Sequence, residues 1–329
     1  MLSKVVRVHE TGGPEQLRIE ELAVGDPGAG EVRIRVRAIG LNRSEALFRA
    51  GVYLGQPKFP SLMGYEASGE IEALGAGVQG FAVGERVCVL PNYRLGEYGV
   101  YAERAIVPAR SLLAPPPGLT PVESASIWMQ YFTAMAVTEV AQVRPGDHVI
   151  IRAPSSSVGI AAMQLCNWAG AVPIAATRTG AKFEALQRLG AAHVIATEES
   201  DLVAEVRRIT SGKGARVVFD PVGGPSIAKL AAALSRGGVL FEYGVLSAEP
   251  AVLPTLDLIG KSLSIRGYLL FEITSDPQRL EPAKQFVFEG LKAGRLKPVV
   301  AKTFPLERIA DAHRYLESNA QIGKIVVTV

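Results

Sequence analysis

Two cysteines and four histidines are all that 329 residues offer to a disulfide or a soft metal. Cys88 and Cys166 stand far apart in a sizeable chain, which argues against a disulfide framework and for a reducing, cytoplasmic setting. An excess of one charge is also missing. With 35 basic against 32 acidic residues the formal net charge is +3, and the arginines are scattered among acids, so nucleic acid is not an expected partner. Uninterrupted apolar runs are scarce: the most apolar stretch, 160–177, is broken by Gln164, Asn167, Gly170 and Pro173. It reads as a buried helix followed by a buried strand, and no membrane span is expected. The first seven residues are charged every few positions and lack a signal-peptide core, so no export address is expected. Repeats and low-complexity tracts are absent.

What is present divides the chain. At roughly 100–200 residues per domain, the length suggests two domains, each able to bury a core. The first third is β-rich. Residues 31–38 alternate apolar and charged side chains, the period of a strand with one wet face, and similar short runs follow at 4–9, 67–74 and 86–90 between Gly-rich turns. A small barrel or sandwich is the expected outcome. Beyond about residue 122 strands alternate with helices. Strands are expected at 148–152, 172–176, 193–195, 216–219, 239–243 and 264–266, and helices at 158–169, 181–189, 201–209 and 227–234. That order is the mark of a doubly wound parallel sheet, which binds ligands outside the carboxyl ends of its strands. An amphipathic helix is expected around 282–291, and the apolar tail 323–329 is expected to return to a sheet, that of the first domain.

The turn after strand 148–152 is the first candidate site. Ala153-Pro154-Ser155-Ser156-Ser157-Val158-Gly159 leads from strand to helix, where free backbone N–H groups and the helix dipole favour a pyrophosphate. Only Gly159 survives of a G-x-G-x-x-G pattern. The serines can donate to phosphate oxygens or merely cap the helix; both readings stand at this point. At the next strand end, Ala176-Thr177-Arg178-Thr179-Gly180-Ala181-Lys182 has no acid until Glu184, where an NAD site would place a carboxylate for the ribose 2′-hydroxyl. Thr177, Arg178 and Lys182 offer donors and two positive charges instead, which fits the 2′-phosphate of NADPH.

With both halves placed, the chain resembles the medium-chain dehydrogenase/reductases, in particular their zinc-independent quinone oxidoreductase and enoyl reductase-like branch. The resemblance runs through Gly40-Leu41-Asn42-Arg43-Ser44, Arg49-Ala50-Gly51-Val52-Tyr53, Met63-Gly64-Tyr65-Glu66-Ala67-Ser68-Gly69, Gly75-Ala76-Gly77-Val78, Gly84-Glu85-Arg86-Val87, the Ser155 to Gly159 turn, and Phe219-Asp220-Pro221-Val222-Gly223-Gly224. It implies an α/β architecture: a GroES-like β-rich catalytic domain from 1–122 and 268–329 around a Rossmann NADPH-binding domain at 123–267. Relatives usually carry an Ala-Ala-Gly-Gly-Val-Gly type of turn, from which Pro154 to Gly159 departs.

Zinc-containing relatives have a Cys near position 42, a His at 65 and a lobe of four cysteines. Here Asn42 and Tyr65 stand at those places and the lobe is missing, while Cys88, His9, His148, His193 and His313 show no ligand spacing and read as ordinary packing or surface residues. No metal is expected. The resemblance implies hydride transfer from NADPH to a quinone or an enone, with Tyr53 as proton donor, Asn42 as donor to a substrate carbonyl and Tyr65 as a second donor. Tyr53 otherwise packs as a loop tyrosine, and Asn42 otherwise caps the following helix. The resemblance also places Thr133, Val222, Tyr243, Gly244, Val245, Leu269, Leu270 and Phe271 around the cofactor. Lys324 reaches cofactor or substrate, or discourages pairing at a sheet edge. Aromatics flanking Thr133 read as core. A homodimer is expected by analogy. Two other functions remain open: an NADP-dependent alcohol dehydrogenase-like oxidoreductase, and a non-catalytic NADPH-binding protein.

Overall fold

Alternation decides the first sheet. In Glu31–Gly40 the side chains of Val32, Ile34, Val36 and Ala38 turn inward and are fully buried, while Arg33, Arg35 and Arg37 face outward toward Glu72 and Glu70. A strand with one apolar face has to cover it, and this one does so at the centre of a seven-stranded sheet. Its order is Val300–Pro305, Lys324–Thr328, Glu31–Gly40, Glu66–Leu74, Arg86–Val89 and Leu112–Leu113, with Arg104–Pro108 also paired to Glu31–Gly40. A second, three-stranded sheet runs Arg18–Ala23, Leu2–Val8 and Ser61–Leu62. The apolar tail enters the large sheet: Val326 lies opposite Gly40 and Val327 opposite Ile39, antiparallel. Both chain ends therefore build one β-rich unit.

This computed structural model describes residues 2–329, and its two compact units are Met1–Met129 with Thr274–Leu280 and Pro298–Val329, and Gln130–Ile273 with Glu281–Lys297. Met1 lies outside the described residues. The second unit holds a six-stranded sheet, parallel throughout, in the order His193–Ala196, Val172–Thr177, His148–Arg152, Ala215–Asp220, Leu234–Glu242 and Ser264–Gly267. Numbered along the chain this is 3-2-1-4-5-6, the doubly wound order whose direction reverses between the first and fourth strands. Ile150, Val218 and Leu240 on three of its strands, with Leu202, Val206 and Leu230 from helices, form a solvent-free core.

Three local expectations shift. The helix Ser226–Ala233 gives way at once to strand Leu234–Glu242, which starts five residues before the expected 239, through Arg236-Gly237-Gly238. A helix at Thr255–Lys261, hidden behind Pro254, has no counterpart in the sequence reading. Residues 281–297 pack with the parallel-sheet unit, not with the chain ends: in helix Pro277–Lys292, Phe286 stacks on Trp168 at 4.1 Å and Gly290 leaves room for Leu296. A β-carbon at Gly290 would stand 2.6 Å from Leu296 and 2.8 Å from the Trp168 ring. Gly290→Ala is therefore expected to lower unfolding stability by about 1–3 kcal/mol, the usual cost of overpacking, as read from the urea midpoint at unchanged m-value.

Candidate active site

The strand-to-helix turn of the second unit is shaped for close backbone approach. Ala153 takes a positive φ of 47°, and Ser156 caps helix Ser157–Trp168 by accepting the Gly159 N–H at 3.0 Å. A β-carbon on Gly159 would sit 2.6 Å from the Ala153 carbonyl, so only glycine fits. The two readings of the serines thus divide by residue. Ser156 is the cap, Ser157 and Val158 form the first turn of the helix, and Ser155 faces the neighbouring strand end, where its hydroxyl accepts from Lys182 Nζ at 3.1 Å. Beyond Val172–Thr177, Arg178 is exposed, and burial together with the Arg178 charge lowers the Lys182 pKa. Two cations side by side repel; an anion is what such a pair favours. The Thr177 carbonyl accepts from the Thr197 N–H and hydroxyl. Sequence reading missed Glu199, whose carboxylate accepts the Gly180 N–H at 2.9 Å from 19 residues away and so fixes this loop.

At the fourth strand end Asp220 shapes a glycine turn, accepting from the Val222 N–H at 2.9 Å and the Gly223 N–H at 3.1 Å. Gly223 and Gly224 both have positive φ. Arg152, from the first strand, lies 4.0 Å from Asp220. The register places Glu242 opposite Asp220. Burial and the Asp220 charge push the Glu242 pKa up to about 8; the Gly244 N–H opposes this, but neither carboxylate oxygen completes a hydrogen bond. Glu242 gave no signal in the sequence, because its charge state depends on a partner on another strand. Tyr243 stacks on Phe219 at 4.0 Å, which buries its hydroxyl, and Gly244 lies against Pro221. Val245 and Leu269 are exposed, Leu270 is buried, and Phe271 opens a short helix, Phe271–Thr274. Thr133 is buried in helix Trp128–Met135 among Trp128, Tyr131 and Phe132, which are core as expected.

The β-rich unit holds a different construction. Lys324, only 1% exposed, donates to Asn42 Oδ1 and to Glu66 Oε2, each at 2.6 Å. The other Glu66 oxygen accepts the N–H groups of Ile127, Trp128 and Met129. Asn42 Nδ2 gives its hydrogens to the Gly40 carbonyl at 3.0 Å and to Glu45 Oε1 at 3.2 Å. This corrects two expectations. Both amide hydrogens of Asn42 are committed, so it does not point a donor at a substrate carbonyl, and the Lys324 ammonium is held by protein groups instead of reaching outward. Asn42 does stand at the N-cap of helix Arg43–Arg49, where Glu45 bonds back to its N–H at 2.7 Å.

Tyr53, half-buried in the segment after that helix, has its phenol pKa raised by burial and then by Glu45. Tyr65 is raised further, by burial and by the nearness of Tyr53. The structure thus brings Tyr53 and Tyr65 together. Tyr93 backs them, its ring 5.7 Å from that of Tyr65 and its hydroxyl donating to the Gly64 and Tyr65 carbonyls. Among the described residues no group of three or more His, Cys, Asp or Glu is arranged to hold a metal ion.

Two family models match the chain. The family model described as alcohol dehydrogenase GroES-like domain matches residues 28–117, and that described as zinc-binding dehydrogenase matches 157–289. A 2-haloacrylate reductase of Burkholderia sp is 35% identical over 97% of both chains. The chain belongs to the medium-chain dehydrogenase/reductases, in their quinone oxidoreductase branch. Human quinone oxidoreductase is 30% identical over 99% of this chain and 98% of its own. The solved structure of Escherichia coli quinone oxidoreductase complexed with NADPH superposes with a TM-score of 0.92 at 28% identity, covering 99% of this chain and all of that one. In this family member the positions of Asn42 and Tyr65 carry an amide and a phenol, and Lys324 closes the space beside Asn42 with a charge.

Two outcomes follow from these charges. Below its ordinary 4.5 Glu242 is protonated folded or unfolded; between 4.5 and about 8 only the folded state keeps the proton, so its stabilising share is lost as pH rises through that window. Glu242→Gln is expected to raise the melting temperature by a few degrees at pH 8 and by little at pH 5, by differential scanning calorimetry. Lys324→Met leaves Glu66 buried without its cation, and urea titration is expected to show a loss of about 3–5 kcal/mol.

Proposed function

We propose that this chain is an NADPH-dependent, zinc-independent reductase that delivers hydride to a quinone or to an activated carbon–carbon double bond. The observation that carries the reading is the cation pair Arg178 and Lys182 beside the Ser155 to Gly159 turn. The residues fit the cofactor. Gly159 admits a phosphate close to the backbone, the capped helix turns its positive end that way, and the two cations suit a 2′-phosphate. Ser155, Arg178 and Lys182 would hold the adenosine end; Thr133, Val222, Tyr243, Gly244, Val245, Leu269, Leu270 and Phe271 would surround the rest. The relatives named by their reactions are a 2-haloacrylate reductase and a quinone oxidoreductase, and the solved Escherichia coli quinone oxidoreductase holds NADPH.

When bound, NADPH supplies the hydride. The chain's own part is to orient the acceptor and to provide a proton to the oxygen or carbon that becomes electron-rich. Tyr53 is assigned as proton donor, with Tyr65 as its neighbour. A phenol with an ordinary pKa near 10 is protonated at neutral pH, and burial raises it here, so Tyr53 holds its proton until the developing enolate takes it. Zinc has no place in this reading, since Asn42, Tyr65 and Lys324 occupy that neighbourhood with an amide, a phenol and a paired ammonium.

No described helix is long and apolar enough to cross a membrane. The proposed assembly is a homodimer formed at the free edge of Ser264–Gly267, beside exposed Leu256 and Ile259. Steady-state NADPH consumption with a quinone and enone panel tests the reaction: turnover with at least one class is expected, and tight NADPH binding with no turnover, or alcohol-dependent reduction of NADP, overturns it. For the cofactor, Arg178→Ala is expected to weaken NADPH about 10–100-fold while leaving NADH within a few-fold, since a hydrogen bond to a charged group contributes about 1.5–3 kcal/mol. Equal losses count against the assignment.

A further inference from the structure

A carboxylate buried without compensation is strongly disfavoured, so the number of donors around it shows which ionisation state the fold maintains. Glu45, in helix Arg43–Arg49, is fully buried. Its Oε2 accepts from the Asn42 N–H at 2.7 Å and the Tyr101 hydroxyl at 2.6 Å, and its Oε1 accepts from the Tyr65 N–H at 2.8 Å and Asn42 Nδ2 at 3.2 Å. Burial, the largest influence, raises the Glu45 pKa above its ordinary value although Tyr101, the Asn42 and Tyr65 N–H groups and Lys324 pull the other way. With four donors on two oxygens no lone pair is left free for a proton, and on that geometry Glu45 is the anion.

The direction of these hydrogen bonds is set from further away. A guanidinium can only donate, so the 2.7 Å contact from Arg49 Nη1 makes His313 Nδ1 an acceptor and leaves the imidazole hydrogen on Nε2. That nitrogen lies 3.0 Å from the Tyr101 hydroxyl, which accepts from it and hands its own hydrogen to Glu45. His313 stays neutral, its pKa pushed down to about 3 by burial and by Arg49 and Arg43. Arg49 is itself anchored on Glu317 at 2.8 Å and on the Gly12 carbonyl at 3.0 Å. The chain thus runs one way, from Arg49 through His313 and Tyr101 to Glu45.

We propose that Glu45 is the positioning residue of the tyrosine pair: it fixes the backbone at Tyr65, and its charge, maintained by the Arg49–His313–Tyr101 chain, keeps the Tyr53 proton in place until the acceptor needs it. Tyr53, Tyr65, Tyr93 and Tyr101 are the phenols, and Lys324 the cation, that feel this charge. The proposal rests on the assignment of Tyr53 as proton donor made above. No proton leaves Glu45 in the reaction; its part is to make the phenol, and nothing else, the available acid.

The test is the pH profile of NADPH-dependent acceptor reduction for the wild type, Glu45→Gln, Glu45→Asp and Tyr101→Phe. Removing a negative charge makes a nearby phenol easier to ionise, so Glu45→Gln is expected to move the alkaline limb down by about one pH unit, with KM for NADPH unchanged. Glu45→Asp, which keeps the charge, restores the limb. Tyr101→Phe moves it in the same direction by less. A folded Glu45→Gln enzyme with the wild-type limb overturns the proposal; if that variant does not fold, an unmoved limb in Tyr101→Phe does so. Should the wild type reduce no acceptor, the functional reading fails separately. Tyrosinate absorbance, titrated with Tyr53→Phe as reference, then decides: Tyr53 ionising at lower pH in Glu45→Gln supports the role, and superimposed curves overturn it.

Discussion

An ammonium ion taken out of water needs hydrogen-bond acceptors and a counter-charge close by, and in the β-rich unit Asn42 and Glu66 supply them to Lys324. Its position is dictated by the tail: Lys324 opens the last strand, and once Ile325, Val326 and Val327 are buried in the sheet the side chain before them has nowhere wet to go. Glu66 and Asn42 receive it. Glu66 then gathers the N–H groups of 127–129, and Asn42 passes the constraint to Glu45, hence to Tyr65, Tyr101, His313 and Arg49. One buried cation at the end of the chain thereby fixes side chains contributed by its first third and by its last helix.

The parallel-sheet unit treats charge in the opposite manner. Arg178 and Lys182 stand together and repel, and Glu242 and Asp220 face each other at adjacent strand ends with Arg152 near. Such like-charged pairs weaken the free protein and are relieved by an ionic or hydrogen-bonding ligand, whereas the Lys324 network is closed upon itself. This contrast separates the scaffold from the surface proposed to bind the cofactor, and it places Asn42 and Lys324 in the scaffold.

Local patterns carried the architecture and the turn. The alternation of 31–38, the strand and helix series after 122, the apolar tail and the small residues before Gly159 are properties of neighbouring positions, and each appears in the structure near its expected place. Lys182 beside Ser155 and Tyr53 beside Tyr65 were also legible, through motif and resemblance. What escaped notice depends on distant partners. Glu45 looks like one more acid in a helix, and His313 like a packing residue, until Tyr101 and Arg49, 212 and 264 positions from the histidine, are brought against it. Glu199 and Glu242 are silent for the same reason, and helix Thr255–Lys261, with Leu256 and Ile259 exposed, lacks the buried face that makes a helix readable.

The central claim, that the basic pair beyond the second parallel strand selects a phosphorylated adenosine ribose, is tested most directly by calorimetric titration of the wild-type chain with NADPH and with NADH at several salt concentrations. The account expects NADPH to bind at least about tenfold tighter, with the advantage shrinking as salt screens the cations. Equal affinities, a preference for NADH, or a preference that does not respond to salt would contradict it.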